Sequence, residues 1–293
     1  MALEPIRIDP DTLLRDQHLL PPLPGTLERV LSAIQNRPGA SSNEVADHIG
    51  RDPAMVAHIL KVVNSAYYSV SPPITNLRHA IAYLGLNEIA RIALALSVIH
   101  ALEPEDGEQA KSFWLHSYLT AVIAKLISRR VRGVYDIDDL YSAALLHDIG
   151  KLVYQRLYPN HYREMLRYCE QHGCFLIAAE AHYELPSHLT FGVMLSDRWR
   201  LPKAVRRAAE FHELPHLQSI GDPDHASPLD VLITVANLLA CLLTESLNVS
   251  LRADVQREVK RVLSLGDDQF LLLMGDVYSL RMRAEETIDS LLA

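Results

Sequence analysis

Cysteine is scarce in this chain, with 3 residues in 293. So small and odd a count excludes a disulfide framework and fits a reducing compartment. Cys169 and Cys174 have no second cysteine pair to complete a sulfur-rich metal site, so two half-buried thiols are expected. Long hydrophobic runs are lacking too. The longest apolar stretch, Val231 to Leu243, is interrupted by Thr234 and Asn237. It falls short of the ~20 residues that span a bilayer. Met1-Ala2-Leu3-Glu4-Pro5 lacks the basic and apolar regions of a secretion signal, so a cytoplasmic location with no membrane contact is expected. Positive charge is also in deficit. A net charge of -8 and a pI near 5.9 argue against a surface that coats nucleic acid. Strand-like alternation, a Gly-rich phosphate loop, a Gly-x-Ser-x-Gly elbow and a useful repeat are all missing. That removes the function classes built on each of them.

What is present is a globular composition, 49% hydrophobic and 22% charged, in a chain long enough for one large core or two smaller ones. The periodicity predicts an all-α protein. Asp9-Pro10 opens a short helix in an N-terminal arm, and Leu20-Pro21-Pro22-Leu23-Pro24 forms an extended brace. Leu27, Val30, Leu31 and Ile34 lie on one helix face. Ser41 and Glu44 form a capping box. Asp52-Pro53 starts the next helix, which breaks at the polar, aromatic turn Asn64-Ser65-Ala66-Tyr67-Tyr68. Asn76 caps a helix ending at Gly85, and Asn87 caps another. The acidic segment Glu103 to Glu108 is the expected boundary between an N-terminal helical lobe, residues 1–105, and a second helical lobe, 106–293. Beyond it, a long helix carries His116 on an apolar stripe. One helix runs into His147-Asp148, and the pattern then continues to about Cys169. Ser187 caps a helix starting at His188, and Leu201-Pro202 opens one ending near Phe211-His212-Glu213. Pro228 to Leu243 has Asn237 in its middle, a buried amide that must find partners. Helices over about 251–263 and 267–292 close the chain.

Residues 41–63 have the size of a helix-turn-helix. Yet residues 1–100 carry seven Arg and one Lys against nine acids, and the second helix offers only Lys61 and His58 as polar readers. Phosphate neutralisation needs basic residues, so no specific DNA binding is expected.

The chemistry concentrates at Leu145-Leu146-His147-Asp148-Ile149-Gly150-Lys151. An imidazole and a hard oxygen side by side are half of a coordination shell for a zinc, iron or manganese class ion. Adjacent helical residues point about 100° apart, so the pair can converge only where its helix faces a cleft or ends. Gly150 is a candidate weak point there. A helix cap or a satisfied core pair would present the same two residues.

His116, then His147-Asp148, then Asn237 on a late helix resembles the HD superfamily of all-helical metal-dependent phosphohydrolases. His188 and His212 fall where two-metal relatives place extra histidines, and Lys151 where active relatives carry a lysine near the scissile phosphate. Leu20-Pro21-Pro22-Leu23-Pro24, Asp52-Pro53, Val63 to Tyr68, Pro73-Ile74, Leu84-Gly85-Leu86 and Phe113-Trp114-x-His116-Ser117 resemble the HDOD domain. That domain is the HD-related output module of bacterial signalling proteins, and the resemblance spans roughly residues 18–215. It implies an N-terminal helical lobe packed on an HD-like lobe, and a regulatory module acting through protein partners. A metal held weakly or partially by His116, His147, Asp148, His188, His212 and Asn237 is implied with it. Asn64, Ser65, Tyr67 and Tyr68 are then the candidates for a partner surface or an interlobe contact. The alternative is a phosphohydrolase acting on a nucleotide or phosphodiester, with Lys151 catalytic. One departure weighs against it: active relatives have an aspartate where Asn237 stands. Phe211-His212-Glu213 and Gly221-Asp222-Pro223 also depart from the motifs of the cyclic-dinucleotide phosphodiesterases, so no turnover of cyclic dinucleotides is expected.

Overall fold

The computed structural model describes residues 6, 49–65, 68, 70–102, 107–131, 139–219 and 227–292. The arm helix, proline brace, first amphipathic helix and capping box expected within residues 1–48 lie outside it. So do Tyr67, most of the acidic segment that was to divide the chain, and Gly221-Asp222-Pro223.

Among the described residues the regular elements longer than a turn are all α-helices. Helix α1 (Pro53–Val63) starts where Asp52 accepts from the Met55 amide. Asn64 ends it and holds the following loop, donating to the Ile74 carbonyl and accepting from the Ile74 amide. Helix α2 (Leu77–Leu84) is capped by Asn76 and ends at Gly85, whose φ of 85° suits glycine. The cap expected at Asn87 does not form, because α3 (Leu86–Ala101) has begun one residue earlier.

The centre of the molecule is the pairing of α4 (Gly107–Ile127) with α12 (Pro228–Thr244), the helices most extensively packed together. Helix α12 is buried nearly all round, and α4 exposes only its first turns and Lys125, so neither carries a continuous polar face. Helices α5 (Leu140–Leu145) and α6 (Ile149–Leu157) are separate, broken at Leu146-His147-Asp148. A further break at Tyr158, ahead of Pro159, divides α6 from α7 (Pro159–His172), where the periodicity predicted continuous helix. Pro at the first helical position ends the preceding hydrogen-bond ladder and starts the next helix. Then come α8 (Leu176–His182), α9 (His188–Arg198), α10 (Lys203–Glu210) and α11 (Leu214–Ser219), the last too short to show periodicity. Helices α13 (Val249–Leu263) and α14 (Asp267–Leu292) complete the fold. Helix α14 returns across α4 to touch α1, while α3 packs on α5.

Two contacts fix the neighbourhood of the chemistry. Helices α6 and α9 approach so closely that a Cβ on Gly150 would stand 1.8 Å from the His188 carbonyl oxygen. Gly150 is therefore a packing requirement inside α6, not the weak point expected of it. The second contact is the grip of α12 on the loop after α10. The Thr234 hydroxyl meets the Phe211 carbonyl, and Asn237 donates to the His212 carbonyl at 2.9 Å.

Candidate metal centre

His116, His147, Asp148, His188, His212 and Asn237 come together from five parts of the chain, none of them more than 7% exposed. The break between α5 and α6 lets neighbouring His147 and Asp148 face one point, which a continuous helix would forbid. His188 is the first residue of α9, behind its cap Ser187. His212 follows α10 in the loop that α12 holds.

The outer nitrogens of the histidines are committed. His147 Nδ1 donates to the Ala144 carbonyl at 2.7 Å, and His212 Nδ1 to the Ala208 carbonyl at 2.7 Å. His188 Nδ1 donates to Glu180 Oε1 at 2.8 Å, and the same oxygen accepts the His188 amide. These acceptors have no proton to give, so whenever one of these rings is neutral its hydrogen sits on Nδ1 and a bare lone pair on Nε2. Asn237 is also oriented: its Nδ2 serves the His212 carbonyl, so its Oδ1 faces His116 Nε2 at 2.9 Å. His116 has a choice, because its Nδ1 meets the Thr244 hydroxyl at 3.2 Å.

All four Nε2 atoms point at Asp148, two to each oxygen. His116 and His147 stand 3.4 and 3.3 Å from Oδ2 and 3.3 Å from each other. His212 and His188 stand 3.0 and 3.6 Å from Oδ1 and 3.3 Å from each other. Asp148 Oδ1 is buried with no donor hydrogen aligned on it. Ligand atoms 2.0–2.1 Å from one tetrahedral ion lie roughly 3.3 Å apart. The separations thus fit two adjacent ions sharing one carboxylate, and outer hydrogen bonds that fix the free imidazole nitrogen are the usual support of such ligands.

Electrostatics without an ion are strained. Burial pushes His116 down to about 3 and His212 down as well, so both are neutral. Burial works against His188, yet Glu180 and Glu213 overcome it and raise it to about 10. Glu213 is held down at about 2: burial opposes this, but His188 3.3 Å away prevails. Burial alone would raise Asp148, but Lys151 and His147 hold it well below the usual carboxylate range. Lys151 lies 2.7 Å from Asp148 Oδ2 and is raised well above its ordinary value, the Asp148 charge outweighing burial. The centre thus relies on a lysine and a protonated histidine for positive charge.

A cavity of about 240 Å³ opens beside Asp148, Lys151 and His116. Tyr162, Gln155, Thr244, Glu245, Cys169 and Cys174 also line it. Sequence reasoning missed Glu180, Glu213, Cys241 and Glu245 as members of the site. Glu180 sits between alanines on α8, and Asn237, Cys241 and Glu245 recur every fourth residue, both of which are visible signals. The other expected group lies elsewhere. Tyr68 meets Glu88 on α3 and the Tyr141 ring on α5, with Lys125 over its own ring. Ser65 is buried and Asn64 is spent on its loop.

Comparison with known proteins bears on the family and the fold. The family model described as the HDOD domain matches residues 20–215. A Treponema pallidum protein described as uncharacterized is 27% identical over 231 residues, 75% of this chain but 42% of its own length. The chain therefore spans less than half of that relative. A crystal structure of an HDOD domain protein of unknown function from Geobacter sulfurreducens superposes with TM-score 0.71 at 22% identity, covering 96% of this chain and 97% of its own. One from Shewanella amazonensis, described as a candidate metal-dependent phosphohydrolase, gives 0.66 at 24% identity and 96% of each chain. Another from Marinobacter aquaeolei, described as a candidate signal transduction protein, gives 0.65 at 20%, covering 98% of this chain and 61% of its own. At these identities the structures speak for the fold. Among the described residues no helix is long and apolar enough to cross a membrane.

Proposed function

Because this chain belongs to the HDOD domain family, we propose that it is a regulatory signalling module whose HD-type centre holds divalent transition ions without general phosphohydrolase activity. It acts by contacts with protein partners. The observation that carries this reading is the charge of the cavity. Among the described residues Lys151 is the only Lys or Arg lining it, and Asp148 already holds it. Glu170, Glu245 and Asp148 face the same space, so the described residues offer a phosphate no uncommitted Lys or Arg. Asn237 adds a neutral amide where a carboxylate would help hold an ion.

His116 and His147 would hold one ion and His188 and His212 a second, with Asp148 between. Such ions, when bound, polarise a phosphoryl oxygen and acidify bound water. The chain's own residues orient the donors: Ala144, Ala208 and Glu180 fix the imidazoles, and α12 fixes His212 through its backbone. Lys151 neutralises Asp148 from the cavity side. The turn at Asn64 and Tyr68 belongs to the joint between α1, α3, α4 and α5, and carries a signal between these helices to a partner surface.

The second reading, a phosphodiesterase or nucleotide phosphohydrolase, is favoured by the two intact histidine pairs. Metal analysis of chelator-free protein, followed by assays of wild type and Asn237→Asp with Mn, Fe or Zn, decides between them. We expect bound metal in both and hydrolysis, if any, only in Asn237→Asp. Robust hydrolysis by the wild type overturns the regulatory reading, and absence of metal from both overturns the centre.

A further inference from the structure

Helix α12 carries more polar chemistry than the centre described above uses. Asn237, Cys241 and Glu245, its C-terminal cap, succeed one another every fourth residue and so stand in a row, each about 6 Å beyond the last. Cys241 is 2% exposed, yet its neighbours are polar. Its Sγ lies 3.4 Å from Asn237 Oδ1 and 3.5 Å from Glu245 Oε1. A core thiol ordinarily has apolar surroundings; this one faces an imidazole and a carboxyl. The ligand atoms of His116, Cys241 and Glu245 all lie within 4.8 Å of one another. Glu245 reaches the open cavity, which gives the group an entry path.

We infer that His116, Cys241 and Glu245 form a thiolate-containing metal position on the cavity side of the centre. The inference rests on the reading of the centre as metal-binding. Asn237 supplies no charge to an ion near His116, and one and two turns further along the same helix stand the groups that would. The donor set is one nitrogen, one sulfur and one oxygen, with two negative charges once the thiol and carboxyl release their protons to solvent. Sulfur and nitrogen on one tetrahedral zinc lie roughly 3.6 Å apart, and with all three ligand atoms within 4.8 Å of one another this pair needs to close by no more than about 1 Å. Glu245 Oε1 already stands 3.5 Å from the sulfur, the spacing of two ligands on one ion. Both this position and the one formed by His147 and Asp148 draw on the single imidazole of His116. A thiolate ligand favours zinc, or cobalt as its probe, over manganese and magnesium. The position therefore makes the chain selective for thiophilic ions at the place where its sequence lost a hard ligand.

The test uses the full chain loaded with cobalt, read by absorption and metal content, and the zinc form read by X-ray absorption. Expected are a near-ultraviolet thiolate-to-cobalt band, a sulfur scatterer about 2.3 Å from zinc, and loss of both in Cys241→Ser. The double variant Cys169→Ser/Cys174→Ser keeps them. Bound cobalt without the band, and zinc with nitrogen and oxygen neighbours alone, overturns the inference and leaves the metal centre standing. A band lost in the double variant but kept in Cys241→Ser also overturns it. No metal bound at all overturns both readings. Should Cys241→Ser fail to fold, the wild-type sulfur signal together with the double variant decides.

Discussion

Replacing Gly150 with alanine separates the packing argument from helix propensity, because the two predict opposite signs. In an unobstructed helix, Gly→Ala stabilises by about 1 kcal/mol. At Gly150 the added Cβ would lie 1.8 Å from the His188 oxygen, 2.7 Å from its carbonyl carbon and 2.8 Å from the Gly192 nitrogen. All three are backbone atoms, so no side-chain rotation relieves the clash. A carbon–oxygen contact needs about 3.2 Å, which forces α6 and α9 apart by more than 1 Å in a close-packed interior. Overpacking costs 1–3 kcal/mol, and a backbone clash lies at the top of that range. Set against the propensity gain, the net expectation is a loss of about 2 kcal/mol, or roughly 3 °C in Tm for a chain of 293 residues.

The same displacement moves His188, whose backbone is the obstacle and whose Nε2 faces Asp148 at 3.6 Å. Coordination shells tolerate only about 0.5 Å. Metal affinity at the His188–His212 pair should therefore fall about 10–100-fold, as when a supporting residue is lost. Thermal melting by circular dichroism and metal titration read both effects. Gly275→Ala in α14 is the control, since nothing lies within 4 Å of the Cβ it would add. It should gain up to about 1 kcal/mol. A Gly150→Ala variant that melts like wild type and binds metal equally would refute the close approach, and with it the account of how α9 is placed.

Three more predictions test the electrostatics. Folded His116 stays neutral to about 3 while the unfolded chain protonates near 6.5. Its contribution, up to about 5 kcal/mol, is thus intact above 6.5 and lost as pH falls toward 3. His188, raised to about 10, contributes below 6.5 and loses that as pH rises to 10. Metal-free protein should accordingly show its highest Tm near pH 6.5, and a Tm flat from pH 4 to 9 would contradict both assignments. Lys151→Met leaves buried Asp148 without its cation, at a cost of about 3–5 kcal/mol, and added zinc should restore most of the lost Tm. No recovery with zinc would speak against ion binding at Asp148. Glu180→Gln keeps the shape but weakens the hold on His188, so metal bound per chain should fall while Tm changes by under about 2 kcal/mol equivalent. Unchanged metal content would remove Glu180 from the centre's support.

The readable part of this protein was local. Asp52, Asn76 and Ser187 cap their helices as their neighbours suggest, because a cap involves only the next three residues. His116, His147-Asp148 and Asn237 could be picked out as polar side chains in apolar segments, which are kept inside only when something binds them, whereas His188 and His212, flanked by polar residues, came from the resemblance alone. What stayed hidden depends on residues far apart in sequence. Leu86 begins α3 before Asn87 can act as a cap, and α11 is one short turn longer than a loop. Gly150 looks like a helix breaker until α9 is laid across it. Glu180 is eight residues from His188 and on another helix, so its hold on that ring is a fact of packing.

Asn237 shows how the two kinds of information combine. Its place in an apolar run announces that it is satisfied, and the missing charge is visible in the residue type itself. Only the fold shows that its amide is spent on the His212 carbonyl, which turns its oxygen toward His116. An aspartate there could not donate to that carbonyl. Asn237→Asp therefore adds a charge for an ion and simultaneously loosens the loop that carries His212. The loss of one buried hydrogen bond costs about 1–3 kcal/mol. The asparagine thus does two things at once: its nitrogen holds the loop of His212, and its oxygen sets an uncharged acceptor beside His116.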